Sequence, residues 1–175
     1  MKLLGISGSL RKESFNTALL HNAAEAFGEA EFTLADLRMP LYDGDLEKAD
    51  GIPAEVQRLA DQIWAADAIV ISSPEYNQSF SGVLKNALDW VSRVEGNPWL
   101  DKPVALVHAA AGRTGGARAS FALRLAMVQF NSRLIQGPEV LVAGAMREFE
   151  DGKLTNERYA EGLSKLMQKL RAMAD

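Results

Sequence analysis

Three short stretches carry side chains whose types and spacing suit ligand chemistry. The first, Gly8 to Asn16, reads GSLRKESFN. Small residues close an apolar run there, and a helical pattern begins just beyond. A helix start offers unpaired backbone N–H groups at the positive end of the helix dipole, which together hold an anion. Ser9, Ser14 and Asn16 add neutral hydrogen-bonding groups and Arg11 adds a charge, a set suited to a phosphate monoester. The Lys of the GxxxxGK(S/T) pattern and the third Gly of GxGxxG are missing, so neither a triphosphate loop nor a dinucleotide fingerprint is present. The second stretch, Ser73 to Gly82, reads SPEYNQSFSG. Polar Glu75, Asn77 and Gln78 surround Tyr76, and an aromatic face beside backbone N–H groups suits a planar heterocycle. Gly82 permits close approach where the next helix starts. The third, Ala109 to Arg118, reads AAAGRTGGAR. Its small residues leave room for a flat ligand, and Arg113 or Arg118 would balance negative charge. Each stretch alone is also compatible with an ordinary surface loop; together they suit a phosphorylated heterocycle.

Those stretches need elements to position them. Lys2 to Ser7 is a short apolar strand, and Ser14 to Phe27 is a helix with Ser14 as N-cap and Leu19, Leu20, Ala23, Ala24 and Phe27 on one face. Glu31 to Ala35 is a second strand, and Met39 to Asp45 a turn-rich loop. Pro53 opens a helix that runs to about Ala66. Ala68 to Ser73 is β-branched and does not alternate, which marks a strand buried on both faces. Ser81 to Val91 is a helix, Pro103 to Ala109 a buried strand, and Gly116 to Phe130 a further helix. Arg133 to Ile135 and Val140 to Val142 form a fifth strand region split by Gly137 and Pro138, and Asn156 to Ala172 is the closing helix. Strands alternating with helices imply one α/β domain over residues 1–175, with a parallel sheet covered on both faces. Ligands bind such sheets beyond the carboxyl ends of the strands, at the topological switch point. The three stretches follow the first, third and fourth strands.

Composition narrows the chemistry. The chain of 175 residues has 19 Lys plus Arg against 23 Asp plus Glu, a net charge of −4, which argues against a nucleic-acid binder. There is no Cys and only His21 and His108, so disulfide, thiolate, iron–sulfur and His-rich metal chemistry are excluded and no metal site is expected. No apolar run reaches membrane-spanning length, since Asp67 interrupts the best one near Trp64 to Ile71, and a cytoplasmic protein is expected. The sequence GISGS at Gly5 to Ser9 misses the final Gly of a GxSxG elbow, which disfavours a serine hydrolase. His21 reads as a solvated side chain, His108 as a buried or capping one. Trp90 and Trp99 are read as core, with a subunit interface as the alternative.

GSLRKESFN, SPEYNQSFSGVLKNALDW and GRTGGARA resemble, in order and spacing, the NADPH-dependent FMN reductase family, the flavodoxin-like group that includes bacterial quinone, chromate and azo-dye reductases. PEYN at Pro74 to Asn77 with the run Ser81 to Asn86 is the most specific part. The resemblance implies a flavodoxin-like three-layer sandwich with a five-stranded parallel sheet of order 2-1-3-4-5 and helices on both faces. It implies noncovalent FMN, with Ser9, Arg11, Ser14, Phe15, Asn16 and Thr17 around the phosphate. Pro74, Glu75, Tyr76 and Asn77 would line the flavin ring, and Gly112, Arg113 and Thr114 would close the other edge. Glu75 would serve there through its backbone.

The resemblance further implies hydride transfer from NADPH or NADH to FMN and on to a quinone, flavin or similar small acceptor, with ping-pong kinetics, in a homodimer or homotetramer. No general acid or base stands out, so no catalytic residue is named. Two other readings stay open from the sequence: a flavodoxin-type electron carrier, and a flavin-binding sensor without NAD(P)H turnover.

Overall fold

The inner strands are apolar on both faces and must be covered on both. The computed structural model, which describes residues 1–175, shows how. The elements run β1 (Lys2–Ser7), α1 (Phe15–Phe27), β2 (Glu31–Ala35), α2 (Gly44–Asp50), α3 (Ala54–Ala65), β3 (Ala68–Ser72), α4 (Gly82–Val91), β4 (Pro103–Ala110), α5 (Ala117–Met127), β5 (Arg133–Leu134), β6 (Val140–Ala143), β7 (Phe149–Glu150), β8 (Lys153–Leu154) and α6 (Glu157–Ala174). The main sheet is parallel and ordered β2-β1-β3-β4-β5, with β6 also paired to β4 beyond the end of β5. This is the expected flavodoxin-like order.

Successive side chains in a strand point to opposite faces, and the two faces receive different helices. Leu4, Ile6, Ile69, Ile71, Val104 and Leu106 pack with Leu59 and Ile63 of α3, Leu84 and Leu88 of α4, and Leu123 and Met127 of α5. Leu3, Val70, Ala105 and Val107 pack with Leu19, Leu20 and Phe27 of α1 and Leu163, Leu166 and Leu170 of α6. Trp90 and Trp99 are both fully buried, so both are core. The Trp90 indole N–H donates to the Pro40 carbonyl at 2.8 Å.

Two elements depart from the sequence reading. The stretch read as loop over Met39 to Asp45 gives way at Gly44 to α2, a seven-residue helix capped by the Asp43 side chain. It has no buried residue and hence no apolar stripe to betray it. Its anchor is tertiary, through Glu47 paired with Arg93 at 3.0 Å and bonded by the Tyr42 hydroxyl. The second is the antiparallel hairpin β7–β8, which turns at Asp151 and Gly152, both in the left-handed region. Asp-Gly is a strong signal for such a turn, but strands of two residues offer no alternation to read. The fifth strand region is split as expected, and the helix begun at Ala117 tightens into a 3-10 turn at Val128–Phe130.

The carboxyl ends of the central strands are out of step. β3 leaves the sheet after Ser72, whereas β4 continues to Ala110. The peptide groups of Ala109 on that side are served by the side chain of Asn16, in the first turn of α1. Asn16 Nδ2 donates to the Ala109 carbonyl at 2.9 Å, and Asn16 Oδ1 accepts from the Ala109 N–H at 3.0 Å and from the Ser72 hydroxyl at 2.8 Å. The amide thus takes the place of one strand residue and joins the ends of β3 and β4 to the start of α1. Replacing it by Asn16→Leu keeps the volume and leaves those groups bare. Each buried polar group left unpaired costs about 1–3 kcal/mol, so urea unfolding should show a loss of at least about 2 kcal/mol.

Candidate functional site

The loops after β1, β3 and β4 emerge side by side at the carboxyl edge, with the switch point between β1 and β3. The loop after β1 enters α1 through Ser14, which is buried and whose hydroxyl accepts from the Thr17 N–H at 3.4 Å. The first turn of a helix has no internal acceptors for its N–H groups. With Thr17 served by Ser14, those of Phe15 and Asn16 remain for an outside ligand. Ser9 Oγ accepts from the Arg11 N–H at 3.4 Å, while the Arg11 side chain is exposed and free of carboxylate partners. The Thr17 hydroxyl is 2.8 Å from that of Ser7. Asn16 therefore offers only its backbone N–H to a phosphate, because its side chain is committed to β3 and β4.

The loop after β3 is rigidly built. Ser73 Oγ accepts from the Ser81 N–H at 3.1 Å and donates to the Pro74 carbonyl at 3.0 Å. Tyr76 and Ser79 exchange backbone bonds of 2.9 and 3.1 Å around Asn77 and Gln78, both at positive φ. That is a two-residue turn of the primed kind, and it leaves the Tyr76 ring half exposed, at 51%. Gly8 lies against the same loop, where an added Cβ would meet Ser81 Oγ at 2.8 Å and Ser73 Oγ at 2.9 Å. Ser72 and Ser73 had no assigned role in the sequence; the signal was a pair of serines closing an otherwise apolar strand.

Between these two loops runs a cleft of about 530 Å³, lined by Gly8, Ser9, Leu10, Arg11, Tyr76, Ser81, Gly82 and Val83. It joins Ser9 and Arg11 to the aromatic side chain, and Gly82 has nothing within 4 Å of where a Cβ would stand. With the start of α1 following Ser9 and Arg11 in the chain, the residues present fit a phosphorylated planar heterocycle whose ring would lie beside Tyr76. A second cleft of about 530 Å³ lies on the outer side of the first turn of α1, between Lys12, Phe15 and His21 and the hairpin residues Phe149 and Lys153. It includes Ser14, Phe15 and Thr17 at the start of α1 but nothing from the loops after β3 and β4. Phe15 stacks on Phe149 there, with centroids 5.5 Å apart.

The loop after β4 places Gly112, Arg113 and Thr114 in the open, with nothing within 4 Å of a Cβ at Gly112. Gly115 and Gly116 are buried, both at positive φ. A Cβ on Gly115 would stand 2.3 Å from the Leu141 carbonyl, and one on Gly116 2.9 Å from His108 Cβ. His108 itself is fully buried in β4, its Nδ1 2.9 Å from the Ser73 carbonyl and its Nε2 without a partner. Nδ1 must carry the proton to face a carbonyl. Burial pushes the His108 pKa down to about 4, against the upward pull of the Ser73 carbonyl. It is a buried histidine that fastens the loop after β3. His21 is exposed, with its ring edge-on to Phe32.

The profile of the NADPH-dependent FMN reductase family matches residues 1–147, which include β1 to β6 and all three loops. The chain belongs to that family. An NAD(P)H-dependent FMN reductase of Pseudomonas aeruginosa is 42% identical over 173 residues, 97% of this chain and 93% of the relative. A quinone reductase of Escherichia coli is 40% identical over 144 residues, 81% of this chain and 77% of the relative. Among solved structures, a flavoenzyme NAD(P)H:(acceptor) oxidoreductase of Paracoccus denitrificans superimposes with a TM-score of 0.86 at 31% identity, over 99% of this chain and 96% of that one. Membership carries the enzyme class with it: an FMN-dependent oxidoreductase that draws on NAD(P)H. No helix is long and apolar enough to cross a membrane.

His108 generates a pH prediction. The unfolded chain protonates it near pH 6.5, whereas the folded chain holds it neutral down to about pH 4. The unfolded state thus binds more protons in between, so its contribution to stability is complete above pH 6.5 and is lost as the pH falls towards 4. The urea midpoint should decline over that window, and His108→Gln should remove that part of the decline.

Proposed function

We propose that this reductase carries a hydride from NAD(P)H to a small diffusible acceptor, such as a quinone or a free flavin, in two half-reactions that use the same space in turn. The observation that carries this reading is the cleft between the loops after β1 and β3, bordered by Ser9 and Arg11 on one side and Tyr76 on the other; the loop bearing Ser9 and Arg11 runs on into the start of α1. FMN, when bound, supplies the hydride-accepting and hydride-donating ring. The protein holds its phosphate through the N–H groups of Phe15 and Asn16, the hydroxyls of Ser9, Ser14 and Thr17, and the Arg11 guanidinium. Pro74, Glu75, Tyr76 and Asn77 flank the ring through their backbone and the Tyr76 face. Gly112, Arg113 and Thr114 border the other edge. Hydride transfer needs no general acid or base from the protein, and none is assigned. An acceptor site bordered by exposed residues suits many small planar acceptors.

Residues 1–175 act as one FMN-binding domain, since all three loops stand on one sheet. A homodimer or homotetramer is supported by the outer face of α5 and the turn after it, where Phe121, Leu125 and Val128 are 65%, 74% and 69% exposed. Contiguous apolar residues this open on a soluble surface mark association sites. The nicotinamide donor supports a cytoplasmic location.

The direct test is the visible spectrum of the purified protein supplied with FMN, before and after anaerobic NADPH. Bleaching that reverses with a quinone is expected; a bound flavin that stays oxidised would replace the reductase reading with an electron carrier. The phosphate loop is tested by Arg11→Ala combined with Ser14→Ala. Charge-assisted hydrogen bonds contribute roughly 1.5–3 kcal/mol each, so FMN affinity should fall at least about tenfold. Unchanged affinity in that variant removes the phosphate from this loop.

A further inference from the structure

An acidic side chain in a loop assigned to a flavin ring needs an explanation, because reduced flavin gathers negative charge. In this fold the Glu75 carboxylate is turned to a helix. Its Oε2 accepts from the Arg118 N–H at 3.0 Å and from the Ala119 N–H at 3.3 Å, the second and third residues of α5. The other helices that follow a site loop cap themselves, α1 with Ser14 and α4 with Ser81. The cap position of α5 is Gly116, which has no side chain to offer. No other residue fits there, since its φ is +96° and a Cβ would strike His108. The helix therefore receives its cap from a residue 43 positions earlier in the chain.

We propose that Glu75 is a positioning residue: its carboxylate caps α5 and so locks the flavin-side loop after β3 to the loop after β4. Side-chain oxygens at the second and third N–H groups of a helix are the usual capping geometry, and a carboxylate there is also favoured by the dipole. The same contact answers the charge question, because the negative charge faces the positive end of α5. Glu75 thereby completes a set of ties. Ser73 is held by His108 of β4, and Tyr76 is fixed by its own turn. The two flanks assigned to the ring then move as one body. This rests on the reading of the loop after β3 as the flavin side, so the test separates the cap from the cofactor.

The full-length chain, first without FMN, would be studied by amide hydrogen exchange at Arg118 and Ala119, and then titrated with FMN by fluorescence quenching. Glu75→Ala should speed exchange at those two amides and weaken FMN binding, each by roughly tenfold, the typical effect of losing a helix cap. Glu75→Gln presents an amide oxygen at the same reach, and should keep most of the protection and bind FMN within about threefold of the original. Thermal melting of each variant confirms that folded protein is compared. If Glu75→Gln keeps the protection yet loses FMN as Glu75→Ala does, the charge acts on the cofactor directly and the positioning role is wrong. If Glu75→Ala loses the protection but binds FMN normally, the cap serves the helix alone and the proposal is likewise overturned. If the unaltered protein is protected at both amides but takes up no FMN, the flavin reading falls, and the positioning role with it.

Discussion

The site depends on a length mismatch at the carboxyl edge of the sheet. β4 outruns β3 at the point where the chain must turn away to make the loop before α4. Proline follows at Pro74 and has no N–H to contribute. A polar strand edge would then be left bare in a dry interior, which no folded protein tolerates at low cost. Asn16 closes that gap with three hydrogen bonds. Because Asn16 belongs to the first turn of α1, the repair also places a helix start, with its unpaired N–H groups, directly at the switch point.

A second consequence follows from the same crowding. The loop after β4 must cross over His108 and the end of β6 with almost no room. Gly115 and Gly116 make that crossing in the left-handed region, where a side chain would collide with Leu141 or His108. A helix that starts on glycine has no side-chain cap of its own. The acid at Glu75 stands within reach of its exposed N–H groups. Packing, backbone conformation and electrostatics at this edge are thus linked in sequence, each solving a difficulty left by the one before.

The charge pattern agrees with this picture. The chain is mildly acidic as a whole, with a net charge of −4, yet Arg11 lines the cleft and the loop that carries it leads into the start of α1. Local dipoles and one cation dominate at short range, because net charge spread over a surface is screened within about 10 Å. Overall acidity therefore does not oppose the binding of a phosphate there.

Much of this was legible in the residues themselves. Alternating apolar strands and amphipathic helices determine the parallel sheet, because their periodicities permit few other burials. Ser14 marks a helix start because capping is a local interaction between neighbours in the chain, and the helices from Ser81 and from Asn156 were legible by their apolar spacing. The three loops at the carboxyl edge were recognisable by composition, and the blocks around PEYN by resemblance to a family. The short helix α2 and the β7–β8 hairpin were not, since both are stabilised by partners distant in sequence and neither buries a periodic stripe. The roles of individual polar groups were equally hidden. Asn16, a plausible phosphate ligand by type, has its amide buried in strand repair, and Glu75, a plausible ring contact, has its carboxylate on a helix 43 residues away. Residue type and spacing determine which hydrogen-bonding groups a loop brings; only the tertiary structure decides which of them are consumed internally, because that depends on where the neighbouring strands happen to end.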